Sequence, residues 1–481
     1  MNMNTHSQTA QMPAYDRSKL TAGIVHIGLG NFHRAHMAVY LDDLFAMGKS
    51  LDWAILGAGV RAGDAKMRDA LMAQDCLSTV IELDPKGKSA RRIGSMIGFI
   101  EVQDDNAALI AAMSKPEIRI VSLTVTEGGY FIDPATGEFD PHAPEIVADA
   151  ANPHRTAFGA IIAALKARKA AGIAAFTVMS CDNLPGNGHV AQSAVVSLAR
   201  LSDPALADWI DANVAFPNGM VDRITPATGP REREMAASFG LGADPVPVTC
   251  EPFRQWVLED NFPAGRPDLA AVGVTFTSHV HAYEAMKIRI LNGGHATIAY
   301  PGGLMDIEFV HEAMAHPLIL GFLNKLETTE IIPTVAPVPN TNLVDYYAKI
   351  VERFSNPEVA DTERRLCLDG SNRQPKFIVP PLRDRLAAGG SVDGLALVSA
   401  LWCRYCTGVS DKGTEIPNND PNWDALQATA KAAQANPQAW LDQRTIYGEL
   451  ADNALFQKAF ATQLTRVRDE GCEAALRAYI G

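Results

Sequence analysis

The sequence predicts an α/β protein whose first part is built on a largely parallel sheet and whose second part is mostly α-helical. Three observations predict it. Short apolar runs closed by turn residues alternate with helical patterns through the first half of the chain. The first of these runs ends in a Gly-x-Gly turn that leads into a helical pattern. After Thr275 the strand-like runs give way to helical segments, among them 344–354, 395–405 and 453–478. This change of character divides the chain into residues 1–277 and residues 278–481, with no internal repeat, low-complexity tract or flexible linker in view.

Taken in order, residues 23–30 form an apolar strand closed by Gly28 and Gly30, and a helix is expected from Arg34 to about Met47. In a strand–turn–helix unit of this kind, glycines let the backbone approach a pyrophosphate at the helix N-terminus, which is the Rossmann-like arrangement. Gly28, Gly30, Asn31, Phe32 and His33 are therefore candidate cofactor-binding residues, with His33 standing where the third glycine of the fingerprint would be. A tight turn without ligand is the competing reading.

A second strand is expected at 53–60, with Asp64 shortly after it. A carboxylate there can accept both ribose hydroxyls of an adenosine half, which favours NAD and repels the 2′-phosphate of NADP. As a plain helix N-cap, Asp64 would do neither.

Further strands at 77–83, 118–125 and 173–180 alternate with helices at 156–170 and 190–201. Ligands sit at the carboxyl ends of strands in such a sheet. Two turn-rich stretches fall there. One contains Thr126 and Glu127, which join the cofactor candidates, and the other runs from Cys181 to Gly188 and contains Asn183. The adjacent Asp222 and Arg223, in the stretch 216–226, read equally as support for a site or as an ordinary salt bridge.

Residues 284–295 carry the most concentrated chemistry. On a helix turning ~100° per residue, Glu284, Lys287, Leu291 and His295 fall in one narrow arc, with Asn292 at its edge. Ile288, Ile290 and Leu291 make the surroundings apolar, and desolvation lowers a lysine pKa toward that of a general base. Gly293 and Gly294 each cost a helix roughly 1 kcal/mol relative to alanine. That cost suits a place where another backbone, a cofactor or a substrate must come close. The competing reading is a structural Glu284–Lys287 ion pair with a core histidine below it.

Composition narrows the function. The 481 residues are 47% hydrophobic and 20% charged, as in a soluble globular protein. A net charge of −13 argues against nucleic acid or an anionic membrane surface as partner. The polar first twenty residues and the lack of a long apolar run point to the cytoplasm. Seven cysteines spread through the chain do not form a disulfide framework, and Cys403 and Cys406 read as helix packing ahead of zinc or redox chemistry.

Together these residues resemble the mannitol dehydrogenase family, the polyol-specific long-chain dehydrogenases and reductases, over nearly the whole chain. The stretch from Gly28 to His36 looks like the family's cofactor turn, and 216–226 fits its signature around Val-Asp-Arg-Ile. Lys287, Asn292 and His295 match its K-x4-N-x2-H motif, and 353–357 and 369–371 add further matches. The resemblance implies a Rossmann-like domain with NAD, a helical substrate domain, an active site in the cleft between them and no metal.

It also implies roles. Neutral Lys287 takes the hydroxyl proton, Asn183 and Asn292 hold the developing oxyanion, and His295 orients a substrate hydroxyl. Glu284 relays the proton to solvent and Asp222 supports the cluster. The expected substrate is a sugar alcohol or its ketose, such as D-mannitol, D-arabinitol or D-sorbitol, and a monomer is expected. Where relatives carry a lysine after Asp-Gly-Ser, this chain has Asn372 and Arg373, with Lys376 further on, so the basic substrate contacts are drawn from Arg365, Arg373 and Lys376. Relatives also place an acid before the cofactor-selecting aspartate, where Gly63 stands here, which weakens discrimination against NADP. A reductase of keto-uronates of the fructuronate or tagaturonate type is the nearest rival. A dinucleotide sensor without turnover is a distant one, because the catalytic residue types are all present.

Overall fold

The computed structural model describes residues 9–133, 136–151, 154–241 and 244–481, and it divides into two units, one ending at His281 and the other beginning at Ala282. In the first unit, the apolar run 24–27 forms the middle of a sheet. β1 (Ala22–Ile27) is buried along all but its first residue, as a parallel strand covered on both faces should be. It lies between β2 (Ala54–Ala58) and β6 (Ile120–Leu123) in a sheet completed by β5 (Met96–Phe99) and β7 (Thr177–Ser180). The order is β5-β2-β1-β6-β7, all parallel. Chain connections leave β1 and β6 toward opposite sides of the sheet, so their carboxyl ends flank the crevice where ligands of such sheets bind.

The run at 77–83 does form a strand, but not in this sheet. β3 (Ser78–Glu82) pairs antiparallel with β4 (Ser89–Ile93) and parallel with β9 (Val248–Cys250). A third sheet joins β8 (Gly219–Asp222), β10 (Gln255–Leu258) and β11 (Thr275–Phe276). Sequence periodicity marks a strand without naming its neighbours.

The single helix expected from 34 to 47 is two. α1 (Asn31–Ala35) ends at His36, whose φ of −119° and ψ of −91° lie outside the helical region, and α2 (Met37–Ala46) begins immediately after it. The break is held from both sides. His36 Nε2 hydrogen-bonds the Gln255 carbonyl at 3.0 Å, and buried Arg34 donates to the Gly30 carbonyl at 3.3 Å and to Asn31 Oδ1 at 2.8 Å.

The second unit is almost wholly helical. Its aromatic and aliphatic core includes Trp402, Trp440, Tyr447, Phe456 and Phe460. The expected helix 453–478 is broken at Gly471 (φ +88°) into Ala454–Glu470 and Cys472–Ile480, because that backbone conformation is one that side chains other than hydrogen resist. All seven cysteines are buried free thiols. Among the described residues no helix is long and apolar enough to cross a membrane.

Candidate active site

In the first unit, the turn after β1 depends on Gly28. Its φ is +99°, and a Cβ there would overlap the Thr124 carbonyl, so the close approach of the two strand ends requires glycine. At Gly30 a Cβ would meet nothing within 4 Å, which leaves the second glycine facing open space. The next three candidates point inward. Asn31 Nδ2 donates to the Pro226 carbonyl at 3.1 Å and to Thr228 Oγ1 at 2.9 Å, and Phe32 stacks on His36 with ring centroids 4.8 Å apart. His33 is 1% exposed and lies 3.4 Å from the ring of His26, and neither of its nitrogens has a hydrogen-bond partner. Burial, and after it the neighbouring His26, Arg34 and His36, holds the His33 pKa well below the ordinary imidazole value.

Asp64 is the first residue of α3 (Asp64–Met72), with Gly63 as its N-cap. Its Oδ2 accepts the Arg61 N–H at 2.9 Å, and a Cβ on Gly59 would come within 2.6 Å of the same oxygen. The carboxylate is thus folded against the chain leaving β2, at the carboxyl end of the strand next to β1. It is not the N-cap.

Thr126 follows β6 with a φ of +67°. What holds this strained backbone is Asp182, which the sequence reading passed over. Its carboxylate accepts the Thr126 N–H at 2.9 Å, the Val125 N–H at 3.0 Å and the Tyr130 hydroxyl at 2.7 Å. Burial raises its pKa against these hydrogen bonds. An aspartate immediately after a strand, opposite a turn at the end of the neighbouring strand, was the available signal. Glu127, next to Thr126, is exposed.

Asn183, exposed, follows Asp182 in the loop after β7. That loop is fixed by Asn187, whose Nδ2 donates to the carbonyls of Ser180, Asp182 and Gly219 and whose Oδ1 accepts the Gly219 N–H at 2.8 Å. Asp222 is the last residue of β8 and is 5% exposed. Arg223 is buried and structural. It donates to the carbonyls of Ala35 (2.6 Å) and Glu251 (2.9 Å) and pairs with Glu82 at 2.7 Å.

In the second unit, the residues around Lys287 are not a continuous α-helix. An α-helical stretch (Val280–Met286) passes into a π-helical turn (Lys287–Asn292) and returns to α-helix (Gly293–Leu304). Hydrogen bonds reaching five residues back widen the turn, so the 100° arithmetic fails between Lys287 and Asn292. Such turns recur at functional sites. Glu284 and Lys287 are both 7% exposed.

His295 lies flat on Phe354, with centroids 3.9 Å apart, and its enclosed Nε2 has no hydrogen-bond partner. Burial, then Arg365, Arg353, Arg373 and Lys287 in that order, pushes its pKa well below the ordinary value. Arg365, Arg373 and Lys287 thus all act electrostatically on His295, and so does Arg353, which sequence reasoning noted only as part of a motif. Lys376 is exposed. Arg365 forms a two-point ion pair with Asp361, and Arg373 donates to the carbonyls of Arg365 (3.3 Å) and Leu366 (3.0 Å).

Of the two glycines, only Gly294 is tightly approached, since a Cβ on Gly293 would meet its nearest atom at 3.6 Å. The position a Gly294 Cβ would take is 3.3 Å from Glu327 Oε1 and 3.4 Å from the Phe354 ring, so the close approach there is made by protein side chains. Among the described residues, no three His, Cys, Asp or Glu side chains are arranged to hold a metal ion.

A parallel sheet of this order, with a Gly-x-Gly turn after its central strand and a carboxylate at the end of the next, defines a Rossmann-type dinucleotide-binding fold. Comparison with known proteins makes this specific. Residues 22–271 match the mannitol dehydrogenase Rossmann domain and residues 279–468 the mannitol dehydrogenase C-terminal domain. A mannitol 2-dehydrogenase of Cereibacter sphaeroides is 67% identical over 98% of this chain and 99% of that one. Among solved structures, the Pseudomonas fluorescens mannitol 2-dehydrogenase in ternary complex with NAD and D-mannitol is 43% identical, with a TM-score of 0.87 over 100% of this chain and 99% of that one. A substrate-free D-sorbitol dehydrogenase is 35% identical, with a TM-score of 0.90 over 97% of both chains. The chain belongs to the mannitol dehydrogenase family.

Proposed function

We propose that this protein is an NAD-dependent polyol dehydrogenase that interconverts a sugar alcohol and its ketose, with Lys287 as general base. The observation that carries the reading is the set of Arg365, Arg373 and Lys287 acting electrostatically on the enclosed His295, in a chain 67% identical to a mannitol 2-dehydrogenase. Residues 1–277 serve the dinucleotide and 278–481 the substrate and the proton chemistry.

The residues present fit a dinucleotide. Gly28 permits the tight turn, Gly30 leaves its approach open, and Asp64 stands at the end of β2 for the ribose hydroxyls. NAD, when bound, accepts the hydride from the carbinol carbon. Asn31, Phe32, His33, Thr126 and Glu127 shape this region, the first three from beneath and Thr126 through Asp182.

Lys287, as the neutral amine, takes the proton of the reacting hydroxyl. The amides of Asn183 and Asn292 donate to the oxygen as charge develops on it. His295, held neutral, hydrogen-bonds a neighbouring hydroxyl of the substrate. Glu284, on the turn before Lys287, passes the proton outward, and Asp222 supports the cluster. The lysine performs the deprotonation without a metal.

Arg365 and Arg373 are the basic side chains assigned to substrate, ahead of Lys376. Both are already engaged, Arg365 by Asp361 and Arg373 by backbone carbonyls. Partly neutralised donors suit hydroxyl groups better than the carboxylate of a keto-uronate, which would compete with Asp361. We also read the protein as a cytoplasmic monomer acting on small molecules, with neither nucleic acid nor membrane as partner.

The test is a panel of hexitols, pentitols and aldonates with NAD and NADP, followed at the nicotinamide absorbance. Turnover is expected with D-mannitol, D-arabinitol or D-sorbitol and NAD. Turnover confined to aldonates would overturn the polyol assignment, and none with any substrate would overturn the catalytic one.

A further inference from the structure

A cavity of about 240 Å³ opens in the second unit, lined by Gly303, Asp306, Glu363, Cys367, Tyr405 and Glu415 among others. It contains none of the residues assigned to the proton chemistry. Its charged groups are arranged by depth. Asp306, Arg364 and Glu415 are exposed and form its mouth, whereas Glu363 is 1% exposed and forms its floor.

Neither carboxyl oxygen of Glu363 has a hydrogen-bond partner. The side chain is wedged there by a glycine, since a Cβ on Gly302 would lie 2.6 Å from its carboxyl carbon. The rest of the cavity wall is well satisfied. Asp306 accepts the hydroxyls of Ser410 (3.0 Å) and Thr414 (3.2 Å), Tyr405 accepts from Asn419 Nδ2 at 2.8 Å, and the Cys367 thiol donates to the Ala299 carbonyl at 3.2 Å. A carboxyl buried in a protein ordinarily has its lone pairs filled, so an unpartnered one among the side chains that line a cavity requires an account.

We propose that this cavity is a binding site for a small organic ammonium ion, with Glu363 as its anionic anchor. Three carboxyl groups against one guanidinium select a cation. The volume corresponds to roughly eight water molecules at ~30 Å³ each, which suits a chain of six or so heavy atoms. A short diamine meets both levels at once, one ammonium on Glu363 at the floor and the other between Asp306 and Glu415 at the mouth. Burial, and after it Asp361, raises the Glu363 pKa well above the ordinary carboxyl value against the pull of Arg365, so the empty site favours the neutral acid. Binding therefore exchanges charge at the floor: the carboxyl O–H bond breaks, the proton leaves to solvent, and the carboxylate accepts hydrogen bonds from the ammonium.

The probe is 1,4-diaminobutane, titrated calorimetrically into the full-length protein at pH 7 in two buffers of different ionisation enthalpy. One saturable site is expected, with a buffer-dependent enthalpy that reports up to one proton released per site. Uncharged 1,4-butanediol is expected not to bind. Glu363→Gln should weaken diamine binding at least tenfold and abolish the proton release, with polyol turnover unchanged. Glu415→Arg, at an exposed position that does not put folding at risk, should weaken it by a similar factor. No saturable binding to the wild type would overturn the proposal. So would undiminished affinity in Glu415→Arg, or undiminished affinity with intact proton release in Glu363→Gln.

Discussion

The imidazole of His295 lies on the ring of Phe354 with centroids 3.9 Å apart and planes 13° from parallel. Stacking of this kind is worth about 0.5–1.5 kcal/mol beyond burial, and here it supports a ring whose Nε2 has no hydrogen-bond partner in the protein. Phe354→Leu keeps the volume apolar but removes the flat support. The expected result is a rise of roughly two- to tenfold in KM for the polyol, with the dissociation constant for NAD unchanged. Steady-state kinetics beside a nicotinamide fluorescence titration measure both. Unaltered KM would mean that the stack does not orient His295.

Lys287→Ala should lower turnover by on the order of a hundredfold or more, the scale at which a positioned base contributes, while NAD binding stays nearly intact. Added primary amines should restore part of the rate by occupying the vacated space. Near-native turnover in the variant would remove the general-base role.

Asp64→Ala should narrow the preference for NAD over NADP, mainly through the apparent affinity for the cofactor. A repulsion of the 2′-phosphate and two ribose hydrogen bonds are lost together. The Asp64 carboxylate also accepts the Arg61 N–H, so Asp64→Asn, which can keep that bond, separates cofactor choice from loop order. If the ratio of kcat/KM with the two cofactors is the same in all three proteins, Asp64 acts on the loop alone.

The N-terminal sheet was legible because β1, β2, β6 and β7 are apolar runs between turn signals, and the alternation with helices implies parallel pairing. The strand at 78–82 carries the same signal, and only tertiary contact decides that it pairs with β4 and β9. Lys287, Asn292 and His295 were singled out by residue types and spacing. Their geometry was not legible, because the π turn changes the angular step without leaving a compositional mark. Asp182 was missed for a related reason. Its partners are backbone N–H groups of Val125 and Thr126, distant in sequence and carrying no side-chain signature.

Glu327 is fully buried against Gly294, and neither carboxyl oxygen has a partner. Burial raises its pKa well above the ordinary carboxyl value. Folded protein then holds a proton that unfolded chain gives up, so stability is full below about pH 4.3 and falls between there and the raised value, by at most ~1.4 kcal/mol per pH unit. Glu327→Gln removes the ionisation. The melting temperature of the variant should match the wild type near pH 4 and exceed it increasingly as pH rises. A difference that does not change with pH would mean that Glu327 does not carry this proton.

The pH dependence of turnover distinguishes a lysine base from a histidine base. With Lys287 as the base, polyol oxidation requires the neutral amine, so its rate should rise with pH and level off once the amine has lost its proton. Ketose reduction requires the same group protonated, so its rate should fall over the same range. His295 is the competing group, and its environment argues against it. With its pKa pushed well below the ordinary imidazole value by burial and by Arg365, Arg353, Arg373 and Lys287, it is neutral at and above neutral pH and has no proton to lose there. His295→Asn should therefore raise KM for the polyol through the lost substrate contact, while the inflection of kcat with pH stays where it is in both directions. Removal of that inflection, with pH-independent turnover remaining in oxidation and reduction alike, would make the imidazole the acid–base group and Lys287 its electrostatic neighbour.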